Sequence, residues 1–298
     1  MKLILPTEFA PDLKPKLPTD VEVVWADTHS TFEGDPSDAE VYLNWFYLKP
    51  ETLHTVLEAA PQLRWMQTPS AGVNHILTPQ FLERNITLTN GAGTFAVPIA
   101  EFVMAFILNY AKCLPKLREL QTQRQWLRSI DLPFQEVDGA TLLIIGAGSI
   151  GQTIAQRASA FGMRVWGSRR HPQPMAGFEK IVGTAEWRSL LPESDYVVLA
   201  TPLTPETKGL FDEAALRLMQ PSSYFINIAR GAVVDEPALI RALSEGWIAG
   251  AGLDTFATEP LPPESPLWSL PNVFIMPHCS GMSPKIVDRT IALFLDNL

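Results

Sequence analysis

The stretch TLLIIGAGSIG, residues 141–151, indicates how this chain folds. Its first five residues are an apolar run typical of a buried strand, and the next six match the spacing G-x-G-x-x-G. In that pattern Gly146 permits a tight turn, Gly148 lets the backbone approach a pyrophosphate, and Gly151 lets the next helix pack closely on the strand. The stretch therefore predicts a strand, a turn and a helix whose N-terminus faces an anion.

The residues after this turn strengthen the prediction. A Gly-rich turn on its own is weak support for dinucleotide binding, since such a turn need not bind any ligand. Here a strand precedes the turn, a helical pattern follows it, and residues 163–167 supply a second strand. Together they form a βαβ unit of about 30 residues, which is the context in which this glycine spacing binds dinucleotides.

Strand and helix patterns alternate along the rest of the chain. Before the turn, strands are predicted at KLILP, VEVVWA, VYLNWFY and LRWMQTP, with a helix at ETLHTVLEAA. After it, strands are predicted at DYVVLAT, YFINIA and VFIMP, with a helix at EPALIRALSEG. Strands separated by helices form parallel sheets, so we predict an α/β fold with two Rossmann-like domains.

Length and composition limit the functions open to this chain. It has 298 residues, of which 46% are hydrophobic and 18% charged, enough for a large core and for two domains. A net charge of -9 and a pI near 5.1 argue against nucleic-acid partners and anionic membranes, because both attract basic surfaces. No uncharged apolar run reaches about 18 residues, and the N-terminal one is too short for a signal peptide. We therefore expect a soluble, cytoplasmic protein without membrane contact.

The two cysteines, Cys113 and Cys279, are far apart and imply a reduced compartment rather than a disulfide framework. Cys279 directly follows a histidine, but neighbouring residues of a strand face opposite sides, so we predict a packed thiol. Neither H-x-x-x-H nor a Cys/His cluster occurs in the sequence, and no metal site is predicted.

The stretch VWGSRRH, residues 165–171, ends the second strand of the βαβ unit. At this point NAD-binding domains have Asp or Glu, which binds the ribose 2'-hydroxyl. Here Ser168, Arg169 and Arg170 occupy it, and a guanidinium group binds the 2'-phosphate that a carboxylate would repel. One charge-assisted hydrogen bond contributes about 1.5–3 kcal/mol, or roughly tenfold to 150-fold in affinity. We expect NADP(H) to be preferred and NAD(H) still to bind; the alternative is that both arginines are solvated surface charges.

Three later stretches carry candidate catalytic residues: NIARGAVVDE with Arg230, GLDTFATEPLP with Glu259, and MPHCSG with His278. In this order after a Gly-rich turn, they make the chain resemble the D-isomer-specific 2-hydroxyacid dehydrogenase family, and within it the glyoxylate and hydroxypyruvate reductases. The resemblance extends over essentially the whole chain, from SAGVNH to the final helical segment.

The resemblance implies a role for each of these residues. Arg230 would bind the carboxylate and carbonyl of a 2-oxo acid, because a planar anion fits the parallel N–H donors of its guanidinium group. His278 would be the general acid, and Glu259 would hold the imidazole in place and favour its protonated form. Asp254 would lie near the nicotinamide carboxamide. Reduction of a 2-oxo acid needs an anion clamp, a proton donor and a hydride source, which these residues and a Rossmann site supply.

The resemblance also implies binding residues elsewhere in the chain. Backbone N–H groups for the substrate carboxylate would come from Ala71, Gly72 and Val73, flanked by Ser70 and Asn74. Cofactor contacts would come from Gly146, Gly148, Ser149, Ile150, Gly151, Ser168, Arg169, Arg170, Thr201, Pro202, Ile228, Ala229 and Asp254. Trp45 could shape the substrate pocket or be an ordinary core aromatic.

Each catalytic candidate has a structural alternative. Arg230 could form an ion pair with Asp235 or Glu236, Glu259 could be an exposed loop acid, and His278 could cap the strand VFIMP. All three alternatives holding in this order after a nucleotide-binding pattern is improbable.

The domain organisation follows from the same resemblance. A flavodoxin-like substrate domain would comprise residues 1–93 plus 279–298, and an NAD(P)-binding Rossmann domain residues 94–278, with the substrate between them. The last segment, SPKIVDRTIALFLDNL, has a helical period with one apolar face, which should pack on the first domain. Family members usually continue past this helix into a tail, whereas this sequence ends at Leu298.

The segment KLRELQTQRQWLR resembles the dimerisation arm of the family. It implies a homodimer formed through the cofactor domain, with a solvated charged helix as the alternative.

The leading expectation is an NADPH-dependent reductase of glyoxylate and hydroxypyruvate. One rival is a family dehydrogenase acting on another substrate, such as a bulkier 2-oxo acid or an inorganic phosphorus compound. The other is a dinucleotide-sensing binding protein, like the corepressors that share this fold. The sequence leaves the size of the substrate pocket open.

Overall fold

The computed structural model describes residues 1–46, 48–73, 75–128 and 131–298. The strands are β1 (Lys2–Pro6), β2 (Glu22–Ala26), β3 (Phe32–Glu33), β4 (Val41–Leu43), β5 (Trp65–Gln67), β6 (Thr87–Thr89), β7 (Thr141–Ile145), β8 (Arg164–Ser168), β9 (Lys180–Val182), β10 (Tyr196–Leu199), β11 (Tyr224–Asn227), β12 (Gly250–Leu253) and β13 (Val273–Ile275). The helices are α1 (Ala10–Leu13), α2 (Pro50–Ala59), α3 (Pro79–Leu82), α4 (Ala96–Ala111), α5 (Leu114–Thr122), α6 (Ser149–Ala160), α7 (Glu213–Leu218), α8 (Glu236–Ser244) and α9 (Ile286–Asn297).

The chain divides into two units, the first comprising residues 1–95 plus 282–298 and the second residues 96–281. The sequence predicts the two changes of unit after residues 93 and 278. In the structure the first change coincides with the start of α4. The second follows Gly281, and the residue before it, Ser280, donates its backbone N–H to Oδ2 of Asp254 in the same unit at 3.2 Å.

The sheet of the first unit has the strand order β3-β2-β1-β4-β5-β6. All its pairings are parallel except that of β3, a short edge strand antiparallel to β2. Without β3 this is the flavodoxin-like order 2-1-3-4-5, in which the direction of winding reverses beside β1. The predicted α/β class with a flavodoxin-like first domain is confirmed.

Helix α9 belongs to this first unit and covers one face of its sheet. Its residues Ile291 and Phe294 are buried among Leu3 and Leu5 of β1. The Phe294 ring also stacks on Trp65 of β5, with ring centroids 5.5 Å apart. Burial of an aliphatic or aromatic side chain of this size contributes about 1.5–3 kcal/mol, so the apolar face read from the sequence does hold the last helix on the first unit.

The sheet of the second unit has the order β13-β12-β11-β10-β7-β8-β9, with every pair parallel. Renumbered from β7, its core is the Rossmann order 3-2-1-4-5-6. The winding reverses between β7 and β10, and ligands of such sheets bind at the carboxyl ends of strands beside that point. The Gly-rich turn directly follows β7 and therefore lies there.

Strand β12 was not predicted, because its sequence GAGL has a low strand propensity. Tertiary packing accounts for the glycines. A Cβ at Gly252 would lie 2.5 Å from the Phe106 ring of α4, and one at Gly250 would lie 2.5 Å from the Asn272 carbonyl oxygen. The absence of side chains lets α4 pack directly on the sheet, and the strand register is then held by β11 and β13.

Two predicted elements are shorter in the structure. The helix expected across KLRELQTQRQWLR ends at Thr122, because Arg124 adopts a left-handed conformation (φ +55°) and Gln125 N–H bonds back to Leu120 C=O at 2.9 Å. The strand expected across VYLNWFY ends at Leu43, so Trp45 lies beyond the strand rather than at its end.

Among the described residues no single helix is long and apolar enough to cross a membrane, and only α4 and α5 taken together, bent by 66°, pass that test.

Candidate active site

The Gly-rich turn after β7 has the geometry that its three glycines require. Gly146 has φ +108°, and a Cβ there would lie 2.6 Å from the Ala200 carbonyl carbon. A Cβ at Gly151 would lie 2.5 Å from the Gly146 oxygen, so α6 packs tightly against the turn. At Gly148 a Cβ would meet no atom within 4 Å. The second glycine thus opens a free space at the N-terminus of α6, which a side chain would fill.

Free polar groups line that space. Gly148 caps α6 without a side-chain hydrogen bond, and within the described part of the chain the N–H groups of Ser149 and Ile150 have no acceptor. After the neighbouring strand β10, the buried hydroxyl of Thr201, next to Pro202, has no hydrogen-bond partner among the described residues. Unpaired N–H groups at a helix N-terminus and an orphaned hydroxyl suit a dinucleotide pyrophosphate, so the residues present fit that cofactor.

The end of β8 is tied to this turn. The carbonyl oxygen of Ser168 accepts from Gly146 N–H at 3.1 Å and from Ala147 N–H at 2.8 Å. Ser168 itself is buried, while Arg169 is half-buried and Arg170 exposed. Across the ranges that the structure describes, neither arginine forms a salt bridge; Arg169 donates from Nη1 to the sulfur of Met175 at 2.7 Å.

A negative group beside Arg170 is already present. The pKa of Glu206 is lowered, mainly by a hydrogen bond from Thr204 and also by the positive charge of Arg170. Arg170 thus has Glu206 as a nearby negative charge but forms no direct ion pair among the described residues, so its guanidinium keeps donors for an anion at the end of β8.

Arg230 lies in the second unit, three residues after β11, whose end is followed by the buried residues Ile228 and Ala229. Its backbone is extended and its side chain exposed, with Nη1 donating to the Ala229 carbonyl at 2.7 Å. The position is fixed by Gly231, where a Cβ would lie 1.8 Å from the Phe256 carbonyl carbon. Arg230 is therefore presented on a tightly packed turn.

The acids expected as alternative partners of Arg230 are engaged elsewhere. Asp235 caps α8 by accepting from Ala238 N–H at 3.1 Å, and Glu236 accepts from Ala257 N–H at 2.8 Å. No salt bridge of Arg230 occurs among the residues described, so its fork keeps donors for a ligand.

His278 and Glu259 form a direct pair. Nδ1 of His278 lies 2.7 Å from Oε2 of Glu259, and the other carboxylate oxygen accepts from Phe256 N–H at 3.0 Å. Both side chains remain partly accessible, with 45% and 35% of their surface exposed. Since Glu259 occupies Nδ1, the Nε2 atom is the nitrogen left to meet a substrate.

A buried carboxylate holds the backbone that follows His278. Asp254, directly after β12, is 1% exposed and accepts from Cys279 N–H at 2.8 Å, from Ser280 N–H and from the Ser280 hydroxyl. Burial raises the pKa of Asp254, although these hydrogen bonds favour its charged form. His278 has φ +52°, a conformation rare for a residue with a side chain, and these bonds hold it there.

Two sequence-based expectations change at this turn. Strand β13 ends at Ile275, so His278 and Cys279 lie in a turn, and the strand-alternation reason given for a packed thiol is wrong. Cys279 is nonetheless partly buried, and burial together with Asp254 raises its thiol pKa, which keeps it protonated. Ser280 was missed, although it stands in the quoted stretch MPHCSG; only the fold shows that it donates to a buried acid.

The predicted substrate loop lies in the first unit, after β5. The N–H groups of Ala71, Gly72 and Val73 have no acceptor among the described residues, as an anion-binding loop requires. Asn74, expected to flank this loop, lies outside the described residues. Trp45 packs on Phe9 with ring centroids 4.8 Å apart, which favours the core alternative for this tryptophan.

No group of three or more His, Cys, Asp or Glu side chains suited to a metal occurs in the described ranges.

Comparison with known proteins gives consistent matches. The family model for the D-isomer specific 2-hydroxyacid dehydrogenase, NAD binding domain, matches residues 104–280. A glyoxylate reductase of Korarchaeum cryptofilum is 37% identical over 272 residues, which cover 89% of this chain and 76% of that protein.

Two solved structures share the whole fold. A D-isomer specific 2-hydroxyacid dehydrogenase of Xanthobacter autotrophicus, in complex with NADPH and MES, is 28% identical with a TM-score of 0.85 and covers 99% of this chain and 93% of its own. An NADPH-dependent glyoxylate/hydroxypyruvate reductase of Sinorhizobium meliloti, in complex with NADP and sulfate, is 27% identical with a TM-score of 0.82 and the same coverage of 99% and 93%.

Proposed function

The chain belongs to the D-isomer-specific 2-hydroxyacid dehydrogenase family, and from this premise we propose that it reduces small 2-oxo acids such as glyoxylate and hydroxypyruvate to 2-hydroxy acids, with NADPH as the preferred reductant. The observation that carries the proposal is the 2.7 Å contact between His278 and Glu259, in the unit that also holds the Gly-rich turn. The relatives support the substrate class, because they include glyoxylate and glyoxylate/hydroxypyruvate reductases.

His278 is the proton donor. Glu259 accepts the Nδ1 proton, which fixes the ring orientation and leaves Nε2 as the nitrogen that donates a proton to the carbonyl oxygen. After donation the ring is neutral, and its remaining proton stays on Nδ1 and is donated in the hydrogen bond to Glu259. The pair then takes up a proton from solvent, to which both side chains are accessible.

Arg230 binds and polarises the substrate. Its guanidinium has donors free within the described chain, and a planar fork suits the carboxylate and carbonyl oxygens of a 2-oxo acid. We assign the carboxylate also to the N–H groups of Ala71, Gly72 and Val73, since these amides lack other acceptors among the described residues.

The cofactor is held by the Gly-rich turn and the N-terminus of α6 at its pyrophosphate, and by Thr201, Pro202, Ile228 and Ala229 along the neighbouring strand ends. When bound, the reduced nicotinamide supplies the hydride. Arg169 and Arg170 bind the 2'-phosphate, which is why NADP(H) is preferred while NAD(H) still binds. The solved neighbours with NADPH and NADP support this choice.

Replacement of the proton donor tests the reaction. We expect wild-type protein to oxidise NADPH when glyoxylate or hydroxypyruvate is added, and His278→Ala to lower kcat/KM by about 10²–10⁴, the usual contribution of a general acid. The measurement is the loss of nicotinamide absorbance. His54→Ala, which removes an exposed histidine of α2, is the matched control and should leave the rate unchanged.

An unchanged rate in His278→Ala would contradict the assigned role. Binding of NADPH without turnover of any 2-oxo acid, bulkier ones included, would instead favour a dinucleotide sensor.

Replacement of both cofactor arginines tests the cofactor preference. In Arg169→Ala/Arg170→Ala the Kd for NADPH should rise by about 100-fold, because charge-assisted hydrogen bonds to the 2'-phosphate are lost, whereas the Kd for NADH should change by less than about threefold. Both constants can be measured by calorimetry. Arg164→Ala, an exposed arginine of the same strand β8, is the control. An equal rise in the Kd for NADPH and for NADH would show that the two arginines are only surface charges.

We also propose a homodimer formed through the second unit. Its support is a set of exposed apolar side chains in and after α5: Trp126 is 92%, Leu127 44%, Leu114 46% and Phe134 47% exposed, and clustered apolar exposure marks interaction sites.

Light scattering should give twice the chain mass of 33.0 kDa for wild-type protein and the monomer mass for Trp126→Glu, because a charge cannot be buried unpaired in an apolar interface. Met282→Glu, a charge placed at a 71% exposed position of the first unit, should stay dimeric. A monomeric wild type, or a dimeric Trp126→Glu, would overturn the dimer as proposed.

A further inference from the structure

We propose that Asn90 is a positioning residue for the substrate: its carboxamide aims the Gly72 N–H, one of the backbone amides of the loop 70–73, at the substrate carboxylate. The role rests on the function proposed above, in which these amides bind that carboxylate. Asn90 directly follows β6. Strand β6 pairs with β5, and the loop 70–73 departs from the end of β5.

The turn after β6 clamps the loop from one side. Gly91 N–H donates to the Ser70 carbonyl at 3.0 Å, and Nδ2 of Asn90 donates to the Ala71 carbonyl at 2.8 Å. The two chains are in close contact here, since a Cβ at Gly91 would lie 1.7 Å from the Pro69 carbonyl oxygen. Two consecutive carbonyl groups of the loop are therefore held toward the same turn.

Peptide geometry converts this clamp into a direction for the amides. The peptide bonds 70–71 and 71–72 are trans, so each N–H points opposite to the carbonyl of the same peptide. Holding the Ser70 carbonyl toward Gly91 turns the Ala71 N–H away from the clamp. Holding the Ala71 carbonyl toward Asn90 does the same for the Gly72 N–H. These are two of the amides that have no acceptor among the described residues.

Neighbouring N–H groups that point the same way form an anion-binding concavity. The two bonds of the clamp differ in kind. The bond from Gly91 belongs to the backbone and is set by the course of the chain, whereas the bond from Asn90 depends on its side chain alone. Asn90 is exposed and fills no space in the core, so its loss should alter the aim of the Gly72 N–H far more than the stability of the unit.

The side chain at this position must donate. An aspartate at position 90 would have the same shape, but it would place a carboxylate oxygen against the Ala71 carbonyl oxygen and add a negative charge beside an anion site. The proposed role therefore separates donation from packing: Asn90→Asp should be worse than Asn90→Ala, whereas a space-filling role would make it better.

The test is calorimetric titration of oxalate, a planar carboxylate that cannot be reduced, into the NADP⁺-loaded protein. We expect the Kd for oxalate to rise about three- to tenfold in Asn90→Ala, the effect of one neutral hydrogen bond, and further in Asn90→Asp. The Kd for NADP⁺ should stay unchanged. In steady state the KM for glyoxylate should rise similarly while kcat changes less than about twofold, because the interaction is equal in ground and transition states.

Asn272→Ala is the matched control. Nδ2 of Asn272 also donates to backbone carbonyls, those of Leu243 and Ala249, at 3.2 and 3.3 Å, so this variant loses comparable bonds outside the loop and should retain the wild-type Kd for oxalate.

Oxalate binding that is absent from wild type, or equal in wild type and Asn90→Ala, would overturn the proposal, as would an Asn90→Asp protein that binds like wild type. If oxalate binding weakens as expected but no 2-oxo acid is reduced, the role of Asn90 stands and the proposed reaction fails. The two claims are thus tested separately.

Discussion

The contact between Nδ1 of His278 and Oε2 of Glu259 is the interaction on which the proposed chemistry depends, and neither side chain is buried enough to hold it alone. An exposed ion pair of this kind contributes at most about 1 kcal/mol, and its geometry is easily lost. The backbone must therefore set it. Glu259 is fixed by its bond from Phe256 N–H, and the turn of His278 by bonds to Asp254.

The parallel sheet brings these supports together. Strands β12 and β13 are neighbours and run in the same direction, so their carboxyl ends meet at one edge. Asp254 and Phe256 follow the first strand, and His278 follows the second. The left-handed backbone of His278 costs on the order of 1–3 kcal/mol, and burial of the Asp254 carboxylate adds a further cost. Three hydrogen bonds from Cys279 and Ser280 offset both, which gives the proton donor a defined orientation.

Much of this arrangement can be read from the sequence, and the reason is local. The G-x-G-x-x-G spacing specifies a turn through short-range geometry, and the apolar periods specify strands and the buried face of α9. What could not be read depends on distant partners. Strand β12 consists of residues with low strand propensity, and only the approach of Phe106 explains its glycines. Helix α5 ends early at the left-handed Arg124, a residue that gives no stop signal of its own.

The same limit applies within the site. Arg230, Glu259 and His278 stand in stretches whose order points to a reductase, whereas Ser280 and Asn90 are ordinary polar residues in the sequence. Their contacts, with Asp254 and with the Ala71 carbonyl, link positions 26 and 19 residues apart. Such pairs become visible only when the strand ends are placed side by side.

A double-mutant cycle tests most directly whether Glu259 acts through His278. The quantity to measure is kcat/KM for glyoxylate with NADPH in wild type, His278→Gln, Glu259→Gln and the double variant. If the carboxylate serves only to orient the imidazole, the double variant will be no slower than His278→Gln alone. Losses that multiply in the double variant would show that the two residues act independently, and would contradict a proton donor held by its partner.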